Sequence, residues 1–330
     1  MGIDPPMTPL SRRVLHALAA IGGVLLFAVA VRQAGVDQIV DGVRRVGWGL
    51  LAIFALGGAR FMLRAECWRQ CLQPGVALGY RHALTAFLAG DAVGSVTPLG
   101  LVASEPTKVF LTRHHLATRE SVSSLALENL VYAVSVVAMV AIGIVVLLAT
   151  VPLPLGWQEA LLAALAVAAV GVVILARVMR HGAGNALPRH AWRERLSAVR
   201  QQLHFASAAV LTRVLLLDLV YHGLAVIEVF LTLELLLGDS SPTLSQSVVF
   251  EALNRVNTVV FKFVPFRVGV DEALNGALAP VLTLPAAAGV TLAVVRKVRS
   301  LFWAGIGLLL VAAHPASSGL PPKGGSHVRT

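Results

Sequence analysis

The chain alternates between long apolar runs and short polar stretches. Six apolar runs are unbroken: residues 14–31, 47–68, 122–150, 159–177, 210–237 and 287–313. A helix needs about 20 residues to cross a hydrocarbon layer roughly 30 Å thick, and each run is of that order or longer. Two further stretches, 83–111 and 248–282, are apolar but interrupted near the middle. The first breaks at Thr97-Pro98-Leu99-Gly100 and the second at Val264-Pro265-Phe266-Arg267-Val268-Gly269. Proline removes a backbone donor and glycine loosens the backbone, so each interruption predicts two half-helices joined by a turn. No stretch is long and polar enough to form a separate soluble catalytic domain. The pattern predicts an all-α polytopic membrane protein of about six spanning helices plus two broken, re-entrant helical hairpins.

Composition agrees with that pattern. The chain is 57% hydrophobic and 13% charged, against about 25% charged in a soluble domain. Lipid must therefore solvate much of its surface. Lys and Arg number 27 against 17 acids, a formal net charge of +10. The cations are scattered between apolar runs with no aromatic-basic module, which argues against nucleic acid as a partner. Their distribution orients the chain instead. Residues 177–200 hold Arg177, Arg180, Arg189, Arg193, Arg195 and Arg200 against Glu194 alone, which predicts a cytoplasmic loop attracted to anionic lipid. Arg12-Arg13 places the N-terminus on the same side. The connections 151–157 and 238–246 carry almost no positive charge and belong outside. These assignments agree if each broken stretch enters and leaves on one face, the first from the cytoplasm and the second from outside. Both termini are then cytoplasmic, with 321–330 a disordered tail.

Met1–Pro6 reads as a vector-derived addition before a native start at Met7. Arg12-Arg13 followed by 14–31 also suits a signal peptide, with Ala28-Val29-Ala30 as a cleavage site. The run is long for a signal core and the topology needs it, so an uncleaved first helix is expected. The predicted organisation is a tail over 1–13, one transmembrane domain over 14–313 and a tail over 314–330. Cys67 and Cys71 give no disulfide framework, and without nearby His or Asp they make a poor metal site. They read as structural, and no metal or other cofactor is expected.

The two broken stretches resemble each other. Pro98 precedes Glu105 by seven positions and Pro265 precedes Glu272 by seven, with Gly100 and Gly269 in between. A charge follows inside a long apolar run, Glu128 after 23 residues and Arg296 after 24. Three spanning runs separate the broken stretches, and an odd number inverts the second against the first. Repeat units over 81–150 and 248–313 would form the inverted arrangement found in many secondary transporters, where broken helices meet near the midplane.

Charge inside hydrocarbon costs about 2.5–3.5 kcal/mol per residue at a helix centre, and persists where it pairs or lines a cavity. Arg296 sits about 16 Å into its helix by the helical rise, with Arg299 one turn on and Lys297 pointing elsewhere to snorkel. Two readings follow. Arg296 and Arg299 bind a lipid phosphate, whose oxygens match guanidinium forks, or Glu128 neutralises one of them and locks two helices together. Glu105 and Glu272 have a capping reading, in which Ser104 N-caps a half-helix, Pro106 occupies its first turn and each acid complements the dipole end. They also have a site reading, because half-helix ends at membrane depth face protein or a wet cavity. Lys108 and Arg267, beside the breaks, are candidate phosphate contacts. Glu251, Asn254 and Arg255 form one polar stripe, read as interhelical glue. Asp218 and His222, a turn apart, suit either a proton relay or a structural pair. His114-His115 read as interfacial. Between 248 and 301 six cations face Glu251, Asp271 and Glu272, which favours an anionic headgroup.

At 96–133, with TPLGLVASEPTKVFLTRHH and SVSSLALENLVYA, and at 263–310, with VPFRVGVDEAL and VVRKVRSL, the chain resembles the lysylphosphatidylglycerol synthase/flippase transmembrane region. It is similar to short members without the aminoacyl-transferase domain, including hopanoid-biosynthesis-associated membrane proteins. Members often carry Gly-Glu and then Arg where this chain has Ser104-Glu105 and then Lys108. The resemblance implies a multi-pass protein of a bacterial-type cytoplasmic membrane that moves an anionic or polyisoprenoid-type lipid, such as a hopanoid or phospholipid, between leaflets. Lipid-biosynthesis proteins are the partners it implies, and the oligomeric state stays open. The alternatives are a non-transporting partner of a lipid-synthesis complex and an intramembrane enzyme. The sequence holds no His-Glu-x-x-His, no Gly-x-Ser-x-Gly and no Gly-x4-Gly-Lys-Ser/Thr, so no catalytic residue is assigned and transport would not draw on nucleotide hydrolysis.

Overall fold

The structure is a computed structural model that describes residues 36–97, 100–181, 206–238 and 241–313. The expected first helix at 14–31, both tails, Pro98 and most of the basic loop lie outside these residues. Among them there is no strand. The helices are α1 (Val36–Val46), α2 (Gly49–Gln70), α3 (Tyr80–Val96), α4 (Gly100–Thr112), α5 (Thr118–Thr150), α6 (Leu155–His181), α7 (Ala208–Leu237), α8 (Leu244–Val260), α9 (Val270–Val281) and α10 (Ala286–Ala313), with a 3-10 turn at Pro265–Arg267. The unbroken apolar runs from 47 onward thus become α2, α5, α6, α7 and α10, and each broken run becomes two helices.

Local chemistry sets several ends. Ser207 caps α7 by accepting from the Val210 amide at 3.2 Å. Thr243 caps α8 and accepts from the Gln246 amide at 3.2 Å, while the Gln246 side chain returns a bond to the Thr243 amide at 2.7 Å. This reciprocal box satisfies two donors that the first turn leaves free.

The packing is inverted relative to a soluble protein. Leu162, Val167, Val170, Val173 and Ile174 of α6, and Leu216, Val220 and Ile227 of α7, are exposed. Arg60, Arg64, Glu128, Asp218, Glu228, Glu251, Glu272 and Arg296 are buried. An apolar exterior around a charged interior is stable where the solvent is hydrocarbon. Among the described residues, three helices are long and apolar enough to cross a membrane: Thr118–Thr150, Leu155–Ile174 and Ala208–Leu237. α2 and α10 have comparable length but carry Arg60 and Arg64, and Arg296, Lys297 and Arg299, which they direct inward.

The two breaks are built differently. At the first, α4 folds directly back on α3. A Cβ on Gly100 would lie 2.6 Å from the Gly94 carbonyl oxygen, so only glycine permits that approach. α4 then runs unbroken through Pro106. Ser104 and Glu105 are therefore interior residues and not the cap that their sequence suggests, because the helix starts at the glycine and not at the serine. At the second break the chain passes through Phe266 (φ 48°), Arg267 (φ 49°) and Gly269 (φ 81°). Left-handed geometry costs a side-chain-bearing residue about 1–2 kcal/mol. Here the expected cap forms, since Glu272 accepts from the Gly269 amide at 2.8 Å. α9 packs mainly on α10, and the 3-10 turn contacts α3.

Candidate functional site

The polar interior is one connected set of charges with three parts. In the first, Arg64 of α2 bridges Glu128 of α5 at 2.7 Å and Asp218 of α7 at 3.4 Å. Its guanidinium lies 3.7 Å over the Tyr132 ring, a geometry that adds cation–π attraction to the ion pair. Glu128 thus neutralises Arg64 and not Arg296 or Arg299. The Cys67 thiol donates to Asp218 at 3.6 Å, consistent with its structural reading. Asp218 and His222 do not face each other's partners: His222 Nε2 lies 3.1 Å from Ser135 Oγ, and its ring stacks on Tyr132.

The second part is the centre. Glu228 of α7 meets Arg60 at 3.0 Å, Arg299 at 2.7 Å and Arg296 at 3.8 Å. Glu251 of α8 meets Arg296 at 2.5 Å and Arg255 at 2.6 Å. Arg60 also donates to the Tyr221 hydroxyl at 2.9 Å, and Arg255 to that of Tyr132 at 3.0 Å. Four guanidinium groups from α2, α8 and α10 therefore surround two carboxylates. The imbalance is one of charge, four guanidiniums against two carboxylates: Arg60 Nε, Arg255 Nε, Arg296 Nη1 and Arg299 Nε are buried without a hydrogen-bond partner, and so is one oxygen each of Glu228 and Glu251.

The third part lies at the breaks. Lys108 pairs with Glu105 one turn earlier at 2.8 Å, and its ammonium sits 4.1 Å over the Phe87 ring. Arg267 pairs with Asp271 at 3.1 Å. Lys297 of α10 is bonded to Glu272. It is half-buried and does not snorkel, because Glu272 is fully buried and needs a cation. Asp91, near the end of α3, is exposed and has no ion pair with any described residue.

Of the sequence-derived candidates, Lys108 and Arg267 are each paired with an acid of their own break. Arg296 and Arg299 meet at Glu228, while Glu128 sits on the far flank with Arg64, although Lys108 and Glu105 also act on it. Glu105 and Glu272 each hold a lysine, Lys108 and Lys297. Sequence reasoning missed Arg60, Arg64 and Asp91. The spacing of Arg60 and Arg64 at i, i+4 inside an apolar run was a usable signal, since it puts both on one face. No group of three or more His, Cys, Asp or Glu among the described residues is arranged for a metal ion.

An all-helical chain that turns aliphatic side chains outward and buries a charged centre is a multi-pass membrane protein. Residues 14–307 match the family described as the lysylphosphatidylglycerol synthase TM region, and the chain belongs to that family. No curated protein and no solved structure matches the chain.

Proposed function

We propose that this protein moves an anionic lipid, a phospholipid or a polyisoprenoid-type lipid such as a hopanoid, between the leaflets of a bacterial cytoplasmic membrane. The observation that carries the reading is the imbalance at the centre, where Arg60, Arg255, Arg296 and Arg299 share Glu228 and Glu251. Guanidinium donors left over from pairing suit phosphate oxygens, which accept them in forked geometry. Family membership supports a role in lipid handling. The two broken pairs act as inverted re-entrant elements that bring Lys108 and Arg267 to the same chamber, with both termini cytoplasmic. Movement is downhill or driven by protons or membrane potential, and the protein itself performs no chemistry on the lipid.

The test is reconstitution into phosphatidylcholine vesicles with fluorescent phosphatidylglycerol or phosphatidylcholine in the inner leaflet. Faster exposure of the phosphatidylglycerol probe than in empty vesicles, reduced by Arg299→Ala, is the expected result. Rates equal to those of empty vesicles for both probes, with a stoichiometric lipid-synthesis enzyme captured from membranes, would replace this reading with that of a non-transporting partner.

A further inference from the structure

The polar stripe on α8 does more than hold helices together. Glu251 pairs with Arg255 of its own helix at 2.6 Å and with Arg296 of α10 at 2.5 Å. Asn254, one turn on and buried, faces the same two guanidiniums. An amide is oriented by its hydrogen-bond partners, and only with its oxygen toward the guanidiniums does this side chain meet donors there. In that orientation the oxygen accepts from Arg255 Nη2 at 2.8 Å and from Arg296 Nη2 at 2.9 Å. The same two nitrogens thus meet one carboxylate and one neutral amide. Asparagine and aspartate have almost the same size and shape, so a carboxylate at 254 would accept the same two bonds and add a charge to them. Charge-assisted bonds are the stronger ones. The other side-chain acceptors of the centre among the described residues, the Tyr132, Tyr221 and Ser300 hydroxyls, are neutral as well. Counted with the neighbouring Arg64, Glu128 and Asp218, five guanidiniums (Arg60, Arg64, Arg255, Arg296 and Arg299) face four carboxylates (Glu128, Asp218, Glu228 and Glu251). One further carboxylate would balance them.

We infer that Asn254 is the residue that keeps the centre one negative charge short, so that the phosphate of an anionic headgroup supplies the missing charge. The inference deepens the proposed function and rests on it for the ligand. A neutral acceptor satisfies guanidinium N–H groups while leaving the field of Arg255 and Arg296 uncancelled. A phosphodiester carries one negative charge and accepts from guanidinium donors. Two such donors, Arg255 Nε and Arg296 Nη1, are buried without a partner on these same arginines. An aspartate at 254 would supply the charge permanently and compete with the ligand. The chain forgoes an ion pair there and keeps a place for an exchangeable anion, a trade of stability for function. Asn254 acts through the two arginines and not by touching the headgroup, so it is a positioning and specificity-determining residue. One extra negative charge several ångströms from a bound phosphate, in a medium of intermediate dielectric, lowers affinity by roughly ten-fold.

The experiment measures binding of short-chain phosphatidylglycerol to the purified full chain in detergent, together with the thermal unfolding of each variant. Asn254→Asp is expected to bind roughly ten-fold weaker while unfolding at or above the unmodified temperature. Asn254→Leu removes the acceptor and adds no charge. It is expected to unfold at a lower temperature yet to lose less affinity than Asn254→Asp. A residue that only ties α8 to α10 would give the reverse, with affinity following stability. Unchanged or tighter binding by Asn254→Asp, with Arg299→Ala still weakening, overturns the role of Asn254 and leaves the proposed function standing. A loss for Asn254→Leu as large as that for Asn254→Asp overturns it too, since the effect is then not one of charge. So does an Asn254→Asp that unfolds well below the unmodified protein, because a carboxylate that balances the centre does not disrupt it. Absence of phosphatidylglycerol binding by the unmodified protein sinks the proposed function instead.

Discussion

At the first break α4 folds straight back onto α3, and its charges stay within the half-helix: Glu105 holds Lys108 one turn away. At the second break α9 leaves α8 for α10, and its acid Glu272 reaches across to Lys297. The first pair is closed by close backbone approach and keeps its ion pair within α4, although one Glu105 oxygen is buried without a partner. The second spends strained backbone at Phe266 and Arg267 and is tied into the bundle through a buried interhelical ion pair. The difference lies in the kind of tie: the second pair is anchored to α10 by an ion pair, whereas the first is held by packing of α3 against α2 and α10.

The largest effect is expected at the charged centre. Glu228→Ala would strip the carboxylate shared by Arg60, Arg296 and Arg299. Breaking a buried ion pair from one side costs about 3–5 kcal/mol, because the partner charge stays buried and uncompensated. Thermal unfolding in detergent should show loss of most of the folded protein. A transition at the unmodified temperature would mean that the guanidiniums have other partners. Next comes Lys297→Met, which leaves Glu272 buried and unpaired. About 3 kcal/mol is expected, measured the same way, and its double-mutant cycle with Glu272→Gln should show coupling of about 1–3 kcal/mol. Coupling near zero would remove the anchor from the comparison.

How far the sequence anticipated this arrangement follows from what apolar runs encode. Run length and the proline-glycine interruptions located the helices from residue 47 onward to within a few residues, since spanning length and backbone breaking are local properties, but they gave no sign of α1 (Val36–Val46). The half-helix start at Gly100 was misplaced to Ser104, because capping chemistry is visible in sequence whereas the Gly94–Gly100 contact is a tertiary one. Pairing was least legible. The partner of Glu128 is Arg64 on α2, and that of Arg296 is Glu251, 45 positions away. Nothing in residue spacing tells one buried cation from another. Asp91 passed unnoticed because a single acid in a broken apolar stretch has no periodic signature.

Closure of the first break gives a smaller effect. Gly100→Ala would drive a methyl to 2.6 Å from the Gly94 carbonyl oxygen, and the backbone has to yield. An overpacking cost of about 1–3 kcal/mol is expected. Gly269→Ala, in the second break at φ 81°, should cost about 1–2 kcal/mol through left-handed strain alone. Both are read as shifts in unfolding temperature, and a clearly larger shift for Gly269→Ala would reverse the assignment of the tighter break.

The smallest stability effect separates the two regions most sharply. Lys108→Met removes a cation whose partner, Glu105, is a quarter exposed, with 25% of its side chain accessible. That carboxylate is only partly buried, with one oxygen already lacking a partner, so the loss should be smaller than at the fully buried Glu272, near about 1 kcal/mol. The methionine keeps the stem that fills the space beside Gly90, where a Cβ would come within 2.7 Å of Lys108 Cγ. Packing on α3 is thus preserved while the charge is lost. If the first pair carries the site and the second anchors it, Lys108→Met should unfold almost like the unmodified protein yet bind short-chain phosphatidylglycerol several-fold more weakly, whereas Lys297→Met should lose stability first. Lys108→Met with unchanged lipid binding would place the anion contacts at the arginines of α2 and α10 alone and confine the role of the first pair to structure.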